Sequence, residues 1–176
     1  MSFQKILAAI DGSPTGQSVF QQAVMLAHFH ASKLLLFHSL AEDLVPRFLL
    51  IPGETGLSPQ LVAQGYQSQK FSLEARSNLI RSVFAAYDEQ ARQVGVTVQM
   101  GIYPQEPGPG ICQVAKFWKA DLIVVGRRQR RGLTAMLLGS VSNYVLHHAS
   151  CPVLVVQCEH ESDSLISETA AAGDFP

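Results

Sequence analysis

The sequence predicts an α/β fold, an open and parallel five-stranded β-sheet with helices on both faces. Short apolar runs that end in turn residues alternate along the chain with segments in which apolar residues recur at helical spacing. One run, 121–126, is apolar almost throughout, which is typical of a strand buried on both faces of a parallel sheet. The chain of 176 residues, 47% hydrophobic and 15% charged, is long enough to bury such a core.

The first third of the chain predicts a β-α-β unit. Residues 3–10 form a short apolar run that stops at Asp11, and Ser13 followed by proline is a favourable helix start. Apolar residues recur at helical spacing over 14–30, and 33–39 is a second apolar strand. Two strands joined by a helix in this way are expected to be parallel.

The rest of the chain repeats the alternation. The predicted helices cover 68–94, 111–120 and 139–148, and the predicted strands cover 96–103, 121–126 and 151–156. Residues 104–110, rich in proline and glycine, are predicted to be a loop. The predicted apolar stripe of the first of these helices consists of Phe71, Ala75, Leu79, Val83 and Ala86.

These elements predict one domain over 1–157 and a flexible C-terminal tail over 158–176. Residues 40–67 form a long insertion that carries apolar side chains, so we expect it to be functional or partly helical.

Composition narrows the classes of protein to which the chain can belong. The formal net charge of −1 argues against a general nucleic-acid binder. Three cysteines without a CxxC pair favour a reducing compartment. The N-terminus has no signal-peptide pattern, and no apolar run approaches the length of a membrane span. We therefore expect a soluble, cytoplasmic protein with no membrane partner.

The segment from Gly126 to Ser140 is the strongest candidate site. It starts at the end of a predicted strand and finishes with Gly139 and Ser140, where a helix is predicted to begin. A helix N-terminus preceded by glycine is a ready site for an anion. Four arginines follow the first glycine: Arg127, Arg128, Arg130 and Arg131. They add positive potential to such a site, or else form only a solvated basic loop.

The other polar residues favour binding over catalysis. Asp11 ends the first strand, where it could cap the following helix or accept a hydrogen bond from a bound base or ribose. The histidines lack the spacing of metal ligands, and no GxSxG or Walker A motif is present. No catalytic residue and no metal site is predicted.

Two stretches of the chain together resemble the universal stress protein family. They are KILAAIDGSPTG near the N-terminus and DLIVVGRRQRRGLTAMLLGSVSNYVLHHASCPVLVV near the end, and the resemblance spans 1–157. It implies the strand order 3-2-1-4-5 of a Rossmann-like fold similar to the adenine nucleotide alpha hydrolases. One branch of that family binds ATP or AMP through a glycine signature. Gly126 matches its first glycine, Gly139 and Ser140 match its closing pair, and Gln129 replaces its second glycine.

The resemblance implies a nucleotide-binding role for particular residues. Asp11 corresponds to a residue near adenine and ribose, and Ser39 to a strand tip whose backbone contacts adenine. The full predicted set is Asp11, Ser39, Gly126, Arg127, Arg128, Gln129, Gly139, Ser140, Val141 and Ser142.

Three functions follow as hypotheses. The first is a stress-response regulator that binds ATP, AMP or ADP with little or no hydrolysis, with Mg²⁺ accompanying ATP. The second is a dimeric scaffold that binds no nucleotide and acts through protein partners. The third is a slow ATPase or autophosphorylating protein, with Ser140 and Ser142 as acceptors. A homodimer is expected through the edge strand 151–156, which is apolar on both faces.

Overall fold

A computed structural model describes residues 2–40, 59–127 and 139–157. In these residues a five-stranded sheet has the order β3-β2-β1-β4-β5, and all neighbouring strands are parallel. The strands are β1 (Lys5–Ala9), β2 (Lys33–Ser39), β3 (Val98–Tyr103), β4 (Leu122–Gly126) and β5 (Val153–Val156). The predicted fold class and strand order are confirmed, and β3 and β5 are the edges of the described sheet.

The helices of the described residues are α1 (Pro14–His30), α2 (Pro59–Gln93), α3 (Pro107–Trp118) and α4 (Ser140–His148). The predicted bounds of α1 are correct, and its N-cap is Ser13, whose side chain accepts a hydrogen bond from the Gly16 amide. α2 begins at Pro59 rather than at 68, so the end of the long connection after β2 is helical. The remainder of that connection, 41–58, and the predicted tail lie outside the described residues.

The predicted start of α3 is wrong, because the helix begins at Pro107 instead of at 111. Proline is tolerated at the first helical position, where its missing N–H costs nothing. Two glycines in the first turn meet close neighbours. A Cβ on Gly108 would lie 2.9 Å from the Tyr144 ring, and one on Gly110 would lie 3.1 Å from Phe37. These glycines serve packing, although their composition resembles that of a loop.

Each face of the sheet has its own core cluster. Helices α1 and α2 cover one cluster, and α3 and α4 cover the other. The buried stripe of α2 consists of Ile80, Phe84, Tyr87 and Ala91.

The predicted stripe of α2 is therefore wrong by about one position. Leu79 is 63% exposed, and Ala75 and Ala86 are also exposed. Val83 is half-buried, and the side chain of Phe71 lies outside the described part of the structure. The larger aromatic residues determine which face of the helix is buried.

Candidate functional site

The ends of β1 and β4 meet at the carboxyl edge of the sheet. The two strands are neighbours, with Ala8 opposite Val124, so the chain leaves both strands at nearly the same level. Gly126, the last residue of β4, packs against the first turn of α1. A Cβ added to it would lie 2.5 Å from Thr15 Cγ2. The turn that holds Asp11 and the start of the Gly126 segment are thus brought together, as the sequence predicts.

We expect Gly126→Ala to lower the free energy of unfolding by about 1–3 kcal/mol, because the new methyl group overpacks the contact with Thr15. Urea denaturation measures this change. Thr15→Ser removes the opposing Cγ2. Adding Gly126→Ala to Thr15→Ser should therefore lower the free energy of unfolding much less than adding it to the unaltered chain. If Gly126→Ala lowered the free energy of unfolding equally in both backgrounds, this packing role would be contradicted.

The Asp11 carboxylate organises the turn between β1 and α1. Its Oδ1 accepts hydrogen bonds from the Ser13 amide at 3.1 Å and from the Ser13 hydroxyl at 2.5 Å. The Ser13 hydroxyl in turn accepts from the Gly16 amide at 3.2 Å. Asp11 therefore supports the cap of α1 through Ser13 rather than capping the helix itself. A carboxylate held in this way presents a fixed orientation at the edge of the sheet.

α2 forms a wall beside this turn. Tyr87 is 8% exposed and its ring stacks on Phe20, with 3.9 Å between the ring centroids. Burial, and secondarily the negative charge of Asp11, raise the pKa of the Tyr87 hydroxyl. The tyrosine thus stays neutral beside the carboxylate.

Two side chains join the ends of neighbouring strands. His38 Nδ1 lies 2.7 Å from the Ile10 carbonyl oxygen, which ties β2 to the end of β1. The Ser39 hydroxyl donates to the Gln105 carbonyl, which ties β2 to the connection between β3 and α3. His38 therefore has a structural contact at this edge of the sheet. The hydroxyl of Ser39 is engaged in its contact with Gln105. The adenine contact that the family resemblance implies for its backbone stays a prediction.

The start of α4 presents backbone donors. Gly139 is the N-cap, makes no side-chain cap hydrogen bond, and has φ −57° and ψ 152°. The first hydrogen bond of the helix runs from the Asn143 amide to the Gly139 carbonyl at 2.9 Å. The amides of Ser140, Val141 and Ser142 consequently have no partner within the helix. Amides at the start of this helix are the donors that the sequence predicts for a phosphate, and that role stays a prediction.

The two serines of α4 differ in what their hydroxyls can do. Ser140 is exposed, whereas Ser142 is 1% exposed and its hydroxyl donates to the Gly139 carbonyl at 3.0 Å. Only the Ser140 hydroxyl can therefore reach a ligand in this arrangement. Ser142 stabilises the first turn and is a poor phosphate acceptor.

Arg127 is the first residue after β4 and is held by the end of β5. Its amide donates to the Val156 carbonyl at 2.9 Å, and its Nη1 donates to the Gln157 side chain at 3.0 Å. A ligand that used this guanidinium would have to share it with Gln157. Arg128, Gln129, Arg130 and Arg131 lie outside the described residues.

A cleft of about 350 Å³ separates the first turns of α3 and α4. Ser140 and Val141 line one side, and Glu106 and Pro109 line the other. The ring of Tyr144 also lines the cleft, and it stacks on His148 with 4.0 Å between centroids. Part of the predicted site therefore opens into a cavity with a carboxylate on its far side.

The sequence and fold match one family of known proteins. The family model described as the universal stress protein family matches residues 2–157. The chain belongs to this family. A universal stress protein of Synechocystis sp. is 37% identical over 163 residues, which is 89% of this chain and 99% of that protein.

Solved structures of universal stress proteins have the same fold. UspA from Lactobacillus plantarum has a TM-score of 0.70 at 22% identity and covers 89% of this chain and 99% of its own. A universal stress protein family protein from Arabidopsis thaliana with AMP bound has a TM-score of 0.58 at 20% identity. The match covers 90% of this chain and 94% of the Arabidopsis chain.

Several residues of this universal stress protein lie at the site without having been predicted there. Glu106, Pro109 and Tyr144 line the cleft. Tyr87 lies close enough to Asp11 for the carboxylate charge to contribute to its raised pKa. Glutamate followed by proline at 106–107 is a helix-start signal that could have placed the first turn of α3 at this edge. No local signal indicates Tyr87, because its position depends on how α2 packs across the sheet.

Proposed function

We propose that this universal stress protein binds an adenine nucleotide at the carboxyl edge of its sheet and acts as a stress-response regulator with little or no hydrolysis. The observation that carries the proposal is the N-terminus of α4, where the amides of Ser140 and Val141 have no partner among the described residues and adjoin a cleft at the carboxyl edge of the sheet. Open α/β sheets bind their ligands in this position, beyond the carboxyl ends of the strands.

The chemistry of the two ends matches the two ends of a nucleotide. The amides of Ser140 and Val141 suit a phosphate, because the helix dipole and the free N–H groups act in the same direction. The Asp11 carboxylate and the backbone at Ser39 suit the hydroxyls of ribose and the edge of a base. The Arabidopsis protein with AMP bound, similar in fold, supports this choice of ligand.

Little hydrolysis is proposed because the carboxylate at the end of β1, Asp11, is already engaged. The Asp11 carboxylate accepts two hydrogen bonds from Ser13, so it is poorly placed to activate water. Within 2–40, 59–127 and 139–157, no group of three or more His, Cys, Asp or Glu side chains is arranged to hold a metal ion. Any Mg²⁺ in the site would arrive with ATP and be held mainly by its phosphates.

Calorimetric titration of the full chain with ATP, ADP and AMP, each with and without Mg²⁺, tests the proposal. The protein is first unfolded and refolded to remove carried-over ligand, and the released small molecule is identified by mass spectrometry. Binding of at least one adenine nucleotide is expected. A folded, empty protein that gives no heat with any of them at millimolar concentration would refute the proposal.

We expect Gln129→Gly to shift the preference of the protein toward ATP. A side chain at the position of the second signature glycine narrows the approach to the outer phosphates. The ratio of ATP to AMP affinity should rise several-fold in the variant, as measured by the same titrations. Gln90→Gly, the same substitution at an exposed position of α2 outside the Gly126–Ser140 segment, serves as the control. An unchanged ratio in Gln129→Gly would contradict this role.

The scaffold function remains the second candidate because β5 is an edge strand of the sheet that the described residues form. β5 carries no charge, and Leu154 on it is 36% exposed. We propose that two copies of the chain pair through this strand.

In the described part of the chain no helix has the length and apolar character needed to cross a membrane.

A further inference from the structure

The two sides of the cleft between α3 and α4 carry opposite electrostatic character. On the α4 side the amides of Ser140 and Val141 have no partner among the described residues, whereas the α3 side carries Glu106. From this arrangement we infer that Glu106 limits the number of phosphates in the site and favours a nucleoside monophosphate over a triphosphate. The inference rests on the proposed nucleotide-binding function and names the class of ligand that the site prefers.

The α3 side has little with which to offset its carboxylate. Pro107 and Pro109 have no N–H, and the Gly110 amide is used in the helix, where it donates to the Glu106 carbonyl at 2.8 Å. Gly108 is buried against the Tyr144 ring. Most helix N-termini attract anions, but this one has lost most of its exposed donors.

The Glu106 side chain is not engaged in capping its own helix. Glu106 is the N-cap residue of α3, is exposed, and makes no side-chain cap hydrogen bond. Its negative charge therefore lies beside the cleft and the solvent and is not used in a cap hydrogen bond. The α4 amides and this carboxylate line the same cleft, so each phosphate beyond the one that the amides hold adds negative charge to the space in front of Glu106. Repulsion then grows with each added phosphate.

The test measures the AMP and ATP affinities of Glu106→Gln in the presence of EDTA. The substitution keeps the size of the side chain and removes its charge. ATP affinity should rise about three- to tenfold, while AMP affinity should change less than about twofold. Glu89→Gln is the matched control, because Glu89 is an exposed glutamate near the end of α2 that does not line the cleft. It should leave both affinities unchanged.

Salt and magnesium separate the alternatives. The gain in ATP affinity should shrink at high ionic strength, since an exposed carboxylate is screened by salt. An unchanged AMP to ATP ratio in Glu106→Gln would overturn the inference while leaving the proposed function standing. So would weaker ATP binding by the variant with Mg²⁺, because Glu106 would then be a metal ligand. If the unaltered chain binds no nucleotide at all, the proposed function fails and the inference fails with it.

Discussion

Replacing Gly139 with valine is expected to weaken nucleotide binding at least about a hundredfold, which corresponds to ~2.7 kcal/mol of binding free energy. The backbone at Gly139 has φ −57° and ψ 152°, a region open to any residue, so its conformation does not require glycine. What glycine provides is the absence of a side chain directly in front of the amides of α4. A β-branched side chain there would occupy the space through which a phosphate approaches Ser140 and Val141.

Because of the same backbone geometry, the Gly139→Val variant should stay folded, so its effect on binding can be measured separately from its effect on stability. Valine is a poorer N-cap than glycine, so we expect a loss of about 1 kcal/mol in the free energy of unfolding, and the domain should stay folded. Gly139→Ala should give an intermediate loss of nucleotide affinity. Ser150→Val places the same side chain at an exposed position just beyond the other end of α4 and should bind normally. If a folded Gly139→Val protein bound nucleotide as tightly as the unaltered chain, the α4 N-terminus would not be part of the site.

The fold is predictable from the sequence because its main signals are local. The strands are short apolar runs ended by turn residues, and their order follows from the family resemblance. Where prediction fails, tertiary packing decides. α2 buries the stripe of Phe84 and Tyr87 rather than that of Leu79, because the aromatic rings fill the space above the sheet and stack on Phe20. Neither the partner nor the space is visible in the sequence of the helix alone.

The candidate site likewise has parts that local sequence signals indicate and parts that only tertiary packing creates. Asp11, Gly126 and Gly139 can be predicted because each stands at the junction of a strand or helix with a turn, where the sequence marks its position. The cleft cannot be predicted in this way, because it forms between segments about thirty residues apart, around Glu106 and Ser140. Ser142 illustrates the limit: the predicted site includes this serine, yet burial and a hydrogen bond to the Gly139 carbonyl engage its hydroxyl.

Placing a lysine at Val155 is expected to convert a dimer into a monomer. β5 is an edge strand with four apolar residues and no charge, and such an edge offers unpaired backbone groups to another chain. Two copies related by a two-fold axis run antiparallel at this edge and form an isologous interface. Each protomer then contributes one lysine to the same small interface, so the dimer dissociation constant should rise at least about a hundredfold. Light scattering over a range of protein concentrations measures it.

Two further variants keep this test decisive. Val155 is half-buried, so a lysine there could also disturb the fold, whereas Leu154 is 36% exposed and Leu154→Lys places the charge on the same edge at smaller cost. Met100→Lys is the matched control, because Met100 is 40% exposed on β3, the opposite edge of the sheet. Dimers should persist in Met100→Lys and disappear in both β5 variants. An unaltered protein that is already monomeric at micromolar concentration would refute the β5 interface, and a dimer lost only in Met100→Lys would move the interface to β3.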